Sequence, residues 1–266
     1  CNHPPAADGT PCGGGAVCVA GACGIGTKAA PAPSCKAIHA AMPQAKSGLY
    51  WLVPPGVSSP AAVVRTWCDM DHDGGGWTLV AVSSDDSNPT WTWNHRLYWS
   101  TDNKTFGDPE KLYLDFKSPL YHGITMKDVL FVHAPSQVWA AYHNVGDGKH
   151  SLAAKVTAIG GPHCWGPNDG WPLSAGTLEK KAGLCSTRLY FNALDHDGNQ
   201  GCGDNEHTYG PVWSAANNGE CPFNDPGQSG ALGPVLKDPN KEENSVGYGK
   251  ALGLNSGGEG QAKNWM

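Results

Sequence analysis

Three observations predict a loop-rich α+β fold for this 266-residue chain, with short twisted antiparallel sheets, few short helices and several disulfides. The chain carries 36 Gly and 21 Pro but only 16% charged residues, and its 11 Trp spread from Trp51 to Trp265. A disordered chain would be charged and poor in Trp, so these turns belong to a packed domain. Apolar runs are short and bounded by Gly, Pro, Asn and Asp, the pattern of brief strands between turns. The ten cysteines are even in number and contain no C-x-x-C pair, which predicts five disulfides and an oxidising compartment.

The elements follow in chain order. Residues 1–27 hold Cys1, Cys12, Cys18 and Cys23 among Gly and Ala, with too few apolar side chains for a core. Two disulfides are expected to hold this small module together. Residues 28–34, an Ala-Pro run, read as a stiff extended linker. A different reading makes Cys1 the lipid-anchored first residue of a mature lipoprotein, which leaves nine thiols and one unpaired. Residues 35–266 form the main domain, with strands expected at 48–53, 63–67, 77–82, 129–133, 138–142 and 188–191. Helices are expected at 35–42, behind Ser34 as N-cap, and at 108–116, while 160–260 reads mostly as loop. The cluster of Trp91, Trp93, Tyr98 and Trp99, beside His95 and Arg96, reads as a small aromatic core.

Composition also excludes classes of function. A net charge of −6, with no basic run longer than Lys180-Lys181, argues against nucleic acid as a partner. No stretch approaches the roughly 18 apolar residues of a membrane span. The start at Cys1 is read as the product of processing, and the protein as secreted or displayed at the cell surface. No Gly-x-Ser-x-Gly, free thiol or phosphate-binding glycine loop is present. Asp195 and Asp197, two apart on one loop, are poorly placed to flank a glycosidic bond, so no enzymatic activity is expected.

The ordered string Cys35-Lys-Ala-Ile, Ser47-Gly-Leu-Tyr-Trp-Leu, Trp67-Cys-Asp-Met70 and Asp73-Gly-Gly-Gly-Trp-Thr-Leu-Val80 resembles the N-terminal part of a fibrinogen-related domain. The resemblance implies a disulfide between Cys35 and Cys68 that staples a helix to a strand, and glycines that permit a tight hairpin. Cys-Asp-x-x-x-x-Gly-Gly-Gly-Trp strings of this kind are similar to those of bacterial secreted proteins, and the Cys-rich module with its Ala-Pro linker fits such a source.

A second string resembles the calcium loop of fibrinogens and ficolins: Phe191-Asn-Ala-Leu-Asp195-His-Asp197-Gly-Asn199-Gln-Gly201-Cys202, then Gly210-Pro-Val-Trp213, Cys221 and Asn224. The resemblance implies Ca²⁺ held by the carboxylates of Asp195 and Asp197, with Asn199 and Gly201 as carbonyl donors. Hard oxygen ligands on a glycine-containing loop suit Ca²⁺. The same residues, with Glu206, fit positions of an EF-hand frame, but Gln200 replaces its required Gly and neither flank reads as helix.

Asp204-Asn205-Glu206-His207 and Val246-Gly-Tyr248 further resemble intelectins, in which a sugar's exocyclic diol completes the calcium coordination inside an aromatic box. Asn205 is adjacent to Glu206 rather than one residue further away, which leaves His207 as the better-matched ligand. Glu220 corresponds to a later acidic ligand, and Trp213 and Tyr248 are candidates for stacking on the sugar. Cys202 and Cys221 are either paired across an enlarged loop, or cross-paired with Cys164 and Cys185.

The function these resemblances imply is a secreted calcium-dependent lectin. It would bind glycans with exocyclic diols or acetylated sugars, and it is expected to be a monomer because no coiled-coil or collagen-like segment precedes the domain. The alternative is an extracellular protein- or peptide-interaction module with purely structural calcium. The tetrapeptide Asp71-His-Asp73-Gly repeats Asp195-His-Asp197-Gly, so a solvated turn is the competing interpretation of both.

Overall fold

The computed structural model describes residues 11–13, 16–19, 22–54, 63–84, 86, 88, 90, 91, 93–134, 137–159, 170–178, 187–192, 208–213, 246–252 and 258–261. The side chains of 11–23, of 93, 94, 96, 190 and 192, and of the strands beyond residue 207 are outside this description. The loop-rich α+β architecture expected from the sequence is the one observed, with small antiparallel sheets and few short helices.

The cysteine-rich segment forms a three-stranded sheet of β1 (Pro11–Gly13), β2 (Ala16–Val19) and β3 (Ala22–Gly24), in which Cys18 is in register with Cys23. Cys1 lies outside the described residues. The Ala-Pro run that follows is docked along the main domain. Ala32 N–H donates to Trp51 O at 3.0 Å, Val53 N–H donates to Ala32 O at 2.8 Å, and Ala30 and Ala32 are buried.

Helix α1 (Cys35–Ala41) starts where its cap predicts, because Ser34 Oγ accepts the Ala37 N–H at 3.1 Å. Its Cys35 and Ile38, one turn apart, are buried against β4 (Gly48–Leu52) and β5 (Val64–Asp69), which pair with β6 (Trp77–Thr78) in the order β4-β5-β6. The disulfide between Cys35 and Cys68 is formed, joining α1 to β5 with Cα atoms 5.4 Å apart. Between β5 and β6 the chain turns through Gly74, Gly75 and Gly76, all with positive φ. A Cβ on Gly75 would lie 2.4 Å from Met70 O, and one on Gly76 would lie 2.8 Å from Lys36 Cα; around Gly74 there is open space. Two of the three glycines are therefore required by close backbone approach as well as by conformation.

The second half of the core is built on β7 (Ala81–Val82), β8 (Phe116–Lys117), α2 (Leu120–Gly123), β9 (Val129–His133), β10 (Val138–Tyr142), α3 (Leu152–Ile159) and β11 (Ala175–Gly176). The aromatic cluster is core, as expected: Trp91, Tyr98 and Trp99 are buried, and Trp91 Nε1 donates to Val82 O at 2.7 Å. A 3-10 segment, Trp93–Trp99, carries it.

The helix expected at 108–116 is absent. Asp108 Oδ1 accepts the Glu110 N–H at 3.0 Å, and Lys111 and Leu114 donate to carbonyls three residues back, so the segment is a chain of turns. Asp115 is then captured by the Ser84 N–H at 2.8 Å, and Phe116 enters β8. The region read mostly as loop contains, among the described residues, a sheet of β12 (Tyr190–Asn192), β13 (Thr208–Trp213), β14 (Val246–Leu252) and β15 (Gly258–Gln261). Pro211 is tolerated in the central strand β13 because the pairing with β14 is irregular between Tyr209 and Val212.

Among the described residues, Asp115 and Lys117 are both buried in this core, Asp115 held by the Ser84 N–H. Lys117 is fully inaccessible, with Nζ donating to Asp102 O and lying 5.0 Å from the Tyr121 ring centroid and 5.5 Å from that of Tyr98. Burial lowers its pKa to about 8, an effect that Asp102 partly offsets.

Because the folded-state pKa lies below the unfolded value, the charged amine penalises the fold in full below about pH 8, and stability rises as pH climbs from there towards the unfolded pKa. Lys117→Met is expected to abolish this rise, as read from urea midpoints across that pH range. In the glycine turn, Gly74→Ala should cost about 1 kcal/mol, from its conformation alone. Gly75→Ala and Gly76→Ala should each cost about 3 kcal/mol by the same measurement, since a clash is added.

Candidate functional site

The first Asp-His-Asp-Gly copy is a docking element rather than a solvated turn. Asp69 Oδ1 accepts the N–H groups of Asp71 and His72 at 2.9 and 3.0 Å, while its Oδ2 lies 2.6 Å from His72 Nδ1. Ser47 Oγ donates to Asp71 Oδ2 at 2.5 Å and accepts the Met70 N–H at 2.8 Å. Asp73, held at φ 43, reaches His143 Nε2 at 2.6 Å, and the His72 ring packs on Trp139 at 5.4 Å. The turn thereby clamps the β4-β5-β6 sheet to β10 and the turn after it. All three carboxylates are occupied by protein donors, and no group of three or more His, Cys, Asp or Glu suited to a metal occurs among the described residues.

Beside this clamp lies a cleft of about 540 Å³. One wall is the start of α1 and β6, with Lys36, Trp77 and Thr78; the other runs from α2 to β9 and His143. The consecutive residues Leu120 and Tyr121 belong to two different hydrophobic clusters, so the cleft follows the seam between them. Tyr121 is buried, donates to Trp99 O at 2.8 Å, and is held protonated by burial, its pKa raised well above the usual phenol value. It forms part of the cleft wall.

The residues named from the sequence are placed unevenly. Cys35 and Cys68 are paired beside the cleft. Asp195, Asp197, Asn199, Gly201, Cys202, Asn205, Glu206 and His207 lie outside the described residues, in the connection that leaves β12 after Asn192 and enters β13 at Thr208. Glu220 and Cys221, also outside them, belong to the connection from β13 to β14, which leaves the opposite end of β13 at Trp213. Cys164 and Cys185 are likewise outside.

The strands separate the two stacking candidates. Trp213 pairs with Val246 at the end of β13 remote from the acidic connection. Tyr248 lies two residues further along β14, at the irregularity of Gly210 and Pro211, whose other neighbours are Phe191 and Asn192. By register Tyr248 is the nearer to the acidic connection. Of the cleft residues, Lys36 belongs to the ordered string at Cys35, while Lys127, Asp128 and His143 carry no motif and meet it only through contacts distant in sequence.

No family model matches the chain. Among solved structures, it is similar to the fibrinogen-like globe domain of human ANGPTL6, at 19% identity and a TM-score of 0.31, over 60% of this chain and 64% of that one. The match thus spans less than two thirds of that domain. No helix among the described residues is long and apolar enough to cross a membrane.

The clamp between Asp73 and His143 is partly exposed. A double-mutant cycle of Asp73→Ala and His143→Ala should give a coupling of about 0.5–1 kcal/mol in chemical denaturation.

Proposed function

We propose that the chain is an extracellular, non-enzymatic carbohydrate-binding protein whose sugar is bound at or beside a Ca²⁺ ion held by the connection 195–207. The observation that carries this reading is the position of the acidic segment. It joins two directly paired strands, β12 and β13, so both its ends have fixed anchors, and Tyr248 is at the neighbouring register position of β14. Loops on such scaffolds are where binding residues concentrate.

The donor set suits the ion: the carboxylates of Asp195, Asp197 and Glu206 and the oxygens of Asn199 and Gly201 are hard ligands, and the glycines allow the loop to curve. Bound calcium would supply coordination sites for sugar hydroxyls. His207 would hydrogen-bond or ligate beside it, and Tyr248 would cover an apolar sugar face. The contrast with the first Asp-His-Asp-Gly copy supports the assignment. There Asp71 is taken up by Ser47 and Asp73 by His143, whereas the second copy is followed by Asn199 and Gln200 instead of two further glycines.

Retention on immobilised diol-bearing microbial sugars and acetylated hexosamines is expected with calcium and is lost with a chelator. Asp197→Ala should weaken it by about tenfold or more. A variant that loses calcium yet keeps full glycan binding would overturn the reading, and absence of retention on the whole panel would point to a protein-interaction module.

A further inference from the structure

We propose that the open edge of β9 is a strand-addition site, at which an extended peptide segment of a partner protein pairs with Leu130 and Val132 and lies in the cleft between α1–β6 and α2–β9. The direction of the β9 main chain follows from its neighbour. In β10, Trp139 O accepts the N–H groups of Thr177 at 2.9 Å and Leu178 at 3.1 Å, and Ala141 O accepts that of Ser174 at 2.9 Å, so Trp139 and Ala141 face the β11 side. Main-chain groups alternate in direction along a strand, so Val138, Ala140 and Tyr142 face β9, where their partners in register are His133, Phe131 and Val129. Leu130 and Val132 therefore turn their N–H and C=O groups away from β10.

Among the described residues nothing takes up those groups. β9 ends its sheet in the order β11-β10-β9, and no hydrogen bond reaches the main chain of Leu130 or Val132 from any described residue. Both residues line the cleft, and Val132 is only 5% exposed. Unpaired main-chain groups so enclosed carry a desolvation cost that a hydrogen-bonding ligand removes. The opposite wall repeats the arrangement on a smaller scale. Leu79 N–H donates to Trp67 O, towards β5, so Thr78 and Val80 turn outward; Val80 O accepts the Ser118 N–H at 2.9 Å, while the Thr78 main chain has no described partner and lines the same cleft. Donors and acceptors that recur every second residue, roughly 7 Å apart, match another extended backbone, whereas a sugar or a lipid presents no such row. Alternate side chains of that peptide would enter a cleft lined by Trp67, Trp77, Leu79, Leu120 and Ile124, so its inward positions are apolar.

The test uses the full chain and a phage-displayed heptapeptide library; the tightest selected peptide is synthesised and titrated calorimetrically. Its sequence should be apolar at alternate positions. Leu130→Pro removes an outward N–H that the β9-β10 ladder does not use, a change that an edge strand tolerates, and should weaken binding about tenfold. Leu130→Ala keeps the main chain and should bind within about threefold of the parent, with both variants checked for folding by circular dichroism. N-methylation of alternate peptide amides, which needs no protein variant, should weaken binding much more in one phase than in the other. A chelator should leave all of this unchanged. Failure to select any peptide, equal binding by Leu130→Pro and the parent, a loss with Leu130→Ala as large as with Leu130→Pro, or N-methyl effects without alternation would overturn the proposal. Chelator-sensitive binding would also overturn it, and would move the ligand to the 195–207 connection.

Discussion

The close approach of Gly76 to the first turn of α1 is the constraint on which the rest of the described structure depends. Only a residue without a Cβ lets β6 pass the Lys36 backbone at that distance. The disulfide from Cys35 to Cys68 fixes the same turn of helix to the neighbouring strand. Helix, β5 and β6 therefore converge within a few residues, which places Trp67 and Trp77 on one side of the cleft and sends the chain on through Val80 into the aromatic core.

The same economy governs the polar groups. Asp69, Asp71 and Asp73 each find a donor within the turn or directly across from it, so the turn can be partly buried without stranding a charge. Lys117 is the exception, an amine enclosed by rings with one carbonyl as its hydrogen-bond partner, and its lowered pKa measures that enclosure. His122, which approaches the same Asp102 carbonyl at 3.1 Å, is also lowered, by burial first and the Lys117 charge second.

Local signals were legible wherever one short segment carried them. The Ser34 cap, the strands at 129–133 and 138–142 and the aromatic core all appear as the residues predict, and the ordered cysteine and glycine string led to the pairing of Cys35 with Cys68. The segment 108–116 misled because its spacing suits a helix while Asp108 and Pro109 favour a turn. Helix α3 was missed, although Ser151 Oγ accepts the Ala154 N–H at its start. Strands β13 and β14 were hidden by their own Gly and Pro, which argue against strand interiors until the irregular pairing at Pro211 is known. The cleft had no sequence signature because its walls meet only in three dimensions. The acidic site remains a matter of sequence, as its side chains lie outside the described residues.

The contact between Asp73 and His143 joins positions 70 residues apart. Closing so long an interval costs chain entropy before the contact returns anything, so it belongs to the late stages of assembly. In chain order, helix α1 and strands β4 to β6 are all encoded by residue 78, ahead of the far wall that begins at Leu120. The apolar face of the first wall, with Trp67, Trp77 and Leu79, is therefore covered only by residues that come later in the chain.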